Sequence, residues 1–184
     1  MPADSKQLLE RNLAALARSS RTTAEAVRSA SSRSDLEWSK AGDGVLIASM
    51  EGRSLASKRR PTEESERFAR ELDPAETGAA VVTGFGCGYH VEAVSRRMGR
   101  GGIVLCFEPD VSLLRAVLER IDCSAWIESG NVAVLTEAED GSAVSASLKG
   151  VESVVALGIK ELQQQQSPPR LGARSQRLCG TLTG

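Results

Sequence analysis

A single histidine, at position 90, and four scattered cysteines, at 87, 106, 123 and 179, leave this 184-residue chain little with which to hold a metal. No CxxC pair occurs, and the thiolate and imidazole sets that zinc requires cannot be assembled. The cysteines read as free thiols in a reducing compartment, with Cys106, inside an apolar run, acting as a small buried hydrophobe. No Ser/His/Asp arrangement emerges, so hydrolytic nucleophilic catalysis has no support. An excess of either charge is missing too, since 23 Lys and Arg stand against 24 Asp and Glu. No basic stripe comes interleaved with aromatics, which excludes nucleic acid as a partner. The densest positive cluster, Lys58-Arg59-Arg60, reads as a solvated loop, with an anion contact as the alternative. The chain also lacks the roughly eighteen successive apolar residues of a membrane span. Its start, "MPADSKQLLERNLAALARSS", has no uninterrupted apolar segment of the secretory kind. The expectation is a soluble, cytoplasmic protein with no membrane partner.

What is present falls into three parts. Residues 5–18 set Leu8, Leu9, Leu13, Leu16 and Ala17 on one helical stripe, with Asp4 or Ser5 as a cap. The Ser/Arg/Ala-rich stretch 19–34 weakens that pattern and reads as a frayed helix or a linker. In "LEWSKAGDGVLIASMEGRSLAS" short apolar runs are broken at Gly42-Asp43-Gly44 and Glu51-Gly52-Arg53, which predicts a small antiparallel meander over about 36–57. Helix and meander make a first unit, residues 1–60. "RPTEESERFARELDP" then predicts a helix with Pro61 in its first turn and Pro74 just past its end.

From residue 79 strands alternate with helices: "AAVVTG", "YHVEAVSRRMG", "GIVLCFEPD", "VSLLRAVLERID" and "NVAVLTE". A fourth strand is expected in "VESVVALGI", after a poorly patterned segment at 138–149. This is the pattern of an α/β fold, a Rossmann-like and mostly parallel sheet with flanking helices, over residues 61–160. The strands are continuous apolar runs, as when helices cover both faces. Residues 161–184, with "QQQQSPPRLGARSQRLCGTLTG", carry paired prolines and no apolar period, and read as a disordered tail on a fold cut short.

The chemistry concentrates in "TGFGCGYH", residues 83–90, where three glycines alternate before the lone histidine. Gly84 allows a sharp exit from the strand, and Gly86 lets backbone approach a ligand. Gly88 opens a helix whose unpaired N–H groups face the carboxyl edge of the sheet. Tyr89 and His90 follow in the first turn. His90 is either a hydrogen-bonding group facing the crevice or a surface residue. Glu108, in "FEPD", stands about two dozen residues past Gly84, near the place of a ribose-binding carboxylate, with helix capping as the alternative. Asp110 reads as an N-cap rather than a catalytic acid. The G-x-G-x-G spacing lacks the third glycine of the dinucleotide fingerprint, which disfavours hydride transfer. It also describes S-adenosylmethionine-dependent methyltransferases, although these usually carry an acid two positions before the first glycine, here Val82. A tight strand-to-helix turn with no ligand is the bland reading of the same glycines.

"VVTGFGCGYHVEAVSRR" followed by "GGIVLCFEPDVSLLRAVLERID" resembles the G-F-G-x-G-Y-H … E-P-D segment of the motility accessory factor (Maf) proteins. It is similar also to their relatives, the 6-hydroxymethylpterin diphosphokinase MptE-like proteins. "NLAAL", "SKAGDG" and "LASKRRPTEESERFA" resemble that family's N-terminal region, so the likeness covers about residues 8–137. It implies a glycosyltransferase-like protein tied to flagellin glycosylation, with a CMP-type nucleotide-sugar as donor and flagellin as acceptor. It implies also that only the N-terminal, Rossmann-like portion is present, ahead of the domain thought to hold the transferase centre. Gly84, Gly86, Gly88, Tyr89, His90, Glu108 and Asp110 match the family motif as a nucleotide-binding site, and Ser57, Arg60 and Glu64 match the upstream stretch. Ser65 stands where the family pattern has alanine. A methyltransferase using S-adenosylmethionine, and a non-catalytic remnant, remain as alternatives.

Overall fold

The computed structural model describes residues 3–129, 131–137 and 158–163. Four strands form a parallel sheet: β4 (Ala79–Thr83), β5 (Ile103–Phe107), β6 (Val132–Leu135) and β7 (Ile159–Gln163), in the order β6-β5-β4-β7. Every residue of β4, β5 and β6 is buried, which explains their unbroken apolar sequences. The chain steps outward from β4 through β5 to β6, and β7 then lies on the other side of β4. The strand order therefore reverses between β4 and β7, and the carboxyl ends of these two strands flank the crevice where open α/β sheets take ligands.

The fourth strand differs from the sequence expectation. It begins at Ile159, where the anticipated segment 151–159 ends, and carries Glu161, Leu162 and Gln163 into what reads as tail. Only Leu162 of this strand is buried. An outer strand needs few inward apolar groups, so "IKELQ" shows no apolar run. Residues 138–149, 151–157 and 164–184 lie outside the described residues, and Cys179 with them.

Before the sheet come α1 (Ala3–Ser19) and α2 (Arg21–Ser29). Asp4 and Ser5 sit inside the first turn of α1 and do not precede it as caps. Leu9, Leu13 and Leu16 are buried as the stripe requires, but Ala17 is exposed, and Asn12 and Ala15 take the inward places. The Asn12 amide nitrogen donates to Leu118 O and Ile121 O, both at 2.8 Å, and its oxygen accepts the Cys123 N–H at 2.9 Å. One buried polar side chain thereby ties α1 to the turn between α5 (Val111–Leu118) and the short α6 (Ser124–Ser129).

Residues 21–29 are a helix with a function in the sheet, not a linker. Among the described residues β6 is an outer strand, and at Val134 its edge is closed by α2 and its N-cap residue: the Val134 N–H donates to Ser20 Oγ at 2.8 Å, and Thr23 Oγ donates to Val134 O at 2.6 Å. Hydroxyls replace the missing neighbour strand. The apolar face is only Ala24 and Val27, which is why the helical stripe is faint.

The meander forms as its turn signals require. β1 (Leu36–Lys40), β2 (Leu46–Met50) and β3 (Arg53–Ser54) run antiparallel, with Trp38 opposite Ala48 and Met50 opposite Arg53. Glu51 and Gly52, at φ of 51° and 74°, turn the chain between β2 and β3. Helix α3 (Pro61–Ala69) starts on Pro61 and stops earlier than Pro74 suggests, with residues 70–72 continuing as single turns. No helix among the described residues is long and apolar enough to cross a membrane.

Thr23→Val is expected to lower stability by about 1–3 kcal/mol, because it strands a buried carbonyl at 134 while keeping shape. Urea unfolding with an unchanged m-value checks this, and a loss under about 0.5 kcal/mol would show that the edge contact contributes little.

Candidate functional site

The loop between β4 and α4 (Tyr89–Met98) turns on three glycines in the left-handed region, Gly84 at φ 86°, Gly86 at 51° and Gly88 at 86°. Between them Phe85 points into the core, fully buried, and stacks on Trp126 with ring centroids 6.1 Å apart. A Cβ on Gly88 would come within 3.2 Å of the Phe85 ring, so this glycine is required by space as well as by backbone.

Glu108 holds the loop from inside. The Phe85 N–H donates to its Oε2 at 2.9 Å and the Asp110 N–H to its Oε1 at 3.0 Å, and the Gly86 N–H also acts on it. Only 3% of the residue is exposed. The ribose-acceptor role that its spacing suggests needs a carboxylate oxygen facing an open crevice. Here both oxygens are engaged by the protein's own backbone. Asp110 caps α5, accepting the Leu113 N–H at 2.9 Å, and it forms an ion pair with Arg33. The Gly84 N–H donates to Phe107 O, and the Gly88 N–H to Phe85 O. The loop amides best placed to cradle a phosphate are thus spent within the fold. The first-turn N–H groups of α4, those of Tyr89, His90 and Val91, have no acceptor in the helix.

The loop's far end rests on the meander. Cys87 Sγ accepts the Ala48 N–H at 3.4 Å, and the Tyr89 hydroxyl donates to Leu46 O at 2.6 Å. Both contacts fall on β2. The segment after β3 is fixed as well, with the Gly42 N–H donating to Lys58 O at 3.1 Å. A Cβ on Gly42 would lie 2.7 Å from Arg59 O, so a glycine at this hairpin turn lets residues 57–60 approach.

Between that segment, α3, the start of α4 and the end of β7 lies a cavity of about 590 Å³. Of the residues the sequence singles out, Ser57, Glu64, Tyr89 and His90 line it, whereas Gly84, Gly86, Gly88, Glu108, Asp110 and Arg60 do not. Cys87, Ser65, Phe68 and Gln163 line it without having been anticipated as site residues. The strand-order reversal would have pointed to Gln163, but only once β7 was placed. Ser57 Oγ donates to Glu64 Oε1 at 2.7 Å, while Arg60 pairs with Glu63. His90 is 3% exposed; its Nε2 lies 2.8 Å from Gly84 O, and the Phe68 ring meets it edge-on at 5.7 Å.

No protein-family model matches the chain. No curated protein matches it either. One solved structure does, that of the Maf glycosyltransferase from Magnetospirillum magneticum AMB-1, with a TM-score of 0.58 at 15% identity over 97% of this chain and 35% of that one. The fold is Maf-like. At that identity the likeness shows the fold alone, and this chain spans about a third of the Maf glycosyltransferase's length.

Of the buried groups at the loop, Glu108 and His90 titrate away from their ordinary ranges in opposite senses. Burial pushes the Glu108 carboxyl up from 4.5 to about 7, against the pull of the Phe85, Asp110 and Gly86 N–H groups. Burial lowers His90 from 6.5 to about 4, against the raising effect of its bond to Gly84. The folded chain holds the Glu108 proton more tightly than the unfolded chain. That group's contribution is therefore full below about pH 4.5 and is lost as pH rises to about 7. His90 does the reverse, its contribution growing as pH rises from about 4 to 6.5. Each slope is at most about 1.4 kcal/mol per pH unit, so the two largely cancel. Chemical denaturation is expected to give Glu108→Gln a stability that rises with pH between 4.5 and 6.5, and His90→Gln one that falls. Parallel slopes in the two variants would contradict the assignment.

Proposed function

We propose that this chain is the nucleotide- or nucleotide-sugar-binding portion of a Maf-like glycosyltransferase, taking its ligand in the cavity beside α4. The observation that carries the reading is the position of that cavity. It is lined by Gln163 at the carboxyl end of β7 and by Cys87 in the loop that follows β4, the two strands between which the order reverses, and Tyr89 and His90 of the first turn of α4 form part of its wall. Three N–H groups without helical acceptors and the positive end of the α4 dipole suit a phosphate or carboxylate. Ser57, Ser65 and Gln163 offer neutral hydrogen-bonding groups around it, as a sugar or base requires. A CMP-type donor and transfer of a sialic-acid-like sugar to flagellin follow from the resemblance of the G-F-G-x-G-Y-H and E-P-D segments, supported by the Maf-like fold.

Thermal unfolding with CMP, CMP-N-acetylneuraminic acid, GTP and S-adenosylmethionine tests this. A ligand present at 100 times its Kd adds about 2.7 kcal/mol to stability, which a melt resolves easily. The CMP compounds are expected to raise Tm. Ser65→Met, which places a longer side chain into the cavity from the buried face of α3, should abolish that rise while leaving the ligand-free Tm within a few degrees. A rise with S-adenosylmethionine alone would replace this reading with a methyltransferase.

A further inference from the structure

The chain's lone histidine is constrained more tightly than a first-turn residue needs to be. A carbonyl oxygen only accepts, so the 2.8 Å contact with Gly84 O makes His90 Nε2 the donor. In the neutral ring Nδ1 is then an acceptor. The Phe68 ring packs against the imidazole in a T-shaped contact, and among the described residues no carboxylate bonds to the ring to support an imidazolium. Nδ1 has no protein partner among the described residues, and it is not sealed away from the cavity that His90 lines. A side chain about 97% buried therefore presents one unsatisfied acceptor to an open volume. An acceptor of this kind is left unmade at a cost unless something donates to it. A phosphate or carboxylate, itself an acceptor, cannot fill that place.

We infer that the His90 face of the cavity is a subsite for a hydrogen-bond donor, namely a hydroxyl of the sugar or ribose part of the ligand, with the ligand's anionic group held apart from it at the first-turn N–H groups of α4. This rests on the nucleotide-sugar reading for the ligand's identity, but the chemistry of the subsite follows from the ring alone. His90 then selects polyhydroxylated anions over bare ones, and it positions the ligand rather than exchanging a proton with it.

Because the chain has one histidine, long-range ¹⁵N NMR reads this ring without assignment ambiguity. The ligand-free protein at pH 7 is expected to show a neutral ring protonated on Nε2; a ring protonated on Nδ1, or an imidazolium, overturns the proposal whatever binds. Adding CMP-N-acetylneuraminic acid should shift the Nδ1 resonance as it accepts a hydrogen bond, with the Nε2–H pattern retained. If the compound raises Tm but leaves Nδ1 unmoved, the nucleotide-sugar reading stands and the hydroxyl subsite falls. If no CMP compound binds, the same spectrum with free N-acetylneuraminic acid at high concentration decides: an Nδ1 shift upholds the subsite without the nucleotide, and no shift ends it. His90→Gln keeps a donor for Gly84 O and an amide oxygen as acceptor, whereas His90→Phe keeps neither. Affinity for the probe that binds should therefore drop on the order of 10-fold in His90→Phe, one neutral hydrogen bond's worth, and be largely retained in His90→Gln. Affinity unchanged in His90→Phe counts against the subsite.

Discussion

The buried carboxylate of Glu108 is the constraint on which the site depends. It ends β5 and collects N–H groups from two different connections, Phe85 and Gly86 of the glycine loop and Asp110 at the start of α5. A carboxyl group this far from water is costly unless its lone pairs are used, and backbone donors use them here. The result is geometric. With the Phe85 N–H turned toward Glu108, the Phe85 ring drops onto Trp126, and the chain can reach α4 only through left-handed backbone at Gly86 and Gly88. The glycines serve this inward fold first. The far side of the loop, at Cys87, Tyr89 and His90, is the side that lines the cavity.

That far side is built as much by the meander as by the sheet. β3 is only two residues long, pairing with Ser49 and Met50, and past it the Leu55 N–H still donates to Ala48 O, so the edge of β2 ahead of that pairing leaves the Ala48 N–H and Leu46 O to other partners. Tyr89 and Cys87 take those places, on Leu46 O and Ala48 N–H, two residues apart and so on one side of the strand. The same hairpin pulls residues 57–60 against Gly42, which brings Ser57 and Pro61 to the cavity wall. A short third strand is thus the condition for a docked loop. The apolar core runs through both parts without a break, from Leu13 and Ile47 to Val82 and Leu114.

The parts legible in the sequence are those where one physical signal dominates. "AAVVT" and "IVLCF" are strands because every side chain is buried, and three alternate glycines before an amphipathic helix need little context. The segments left open or misplaced are those whose stabilisation is polar or shared. α2 holds its place through two hydroxyls on the backbone of β6, and β7 through pairing with β4, and neither leaves an apolar period. Glu108 is the sharper case. Its spacing from Gly84 serves a ribose or the loop's own amides equally well. What decides is the orientation of the Phe85 peptide, whose side chain stacks on Trp126, more than forty positions away in the chain. No local pattern encodes that choice.

In the proposed site the same helix end lets a neutral histidine and an anion share one cavity. The positive end of the α4 dipole favours negative charge beside it, while it opposes protonation of a ring in the first turn. Burial acts in the same direction on His90. An imidazolium would neutralise the anion directly and would hold it at the ring. A neutral ring with Nε2 committed to Gly84 instead leaves the anion to the backbone N–H groups, so the two polar sites of the wall do not compete. In the proposed site charge is recognised by the helix and hydroxyls by the side chain, a division that follows from placing histidine, rather than lysine or arginine, one residue inside the helix.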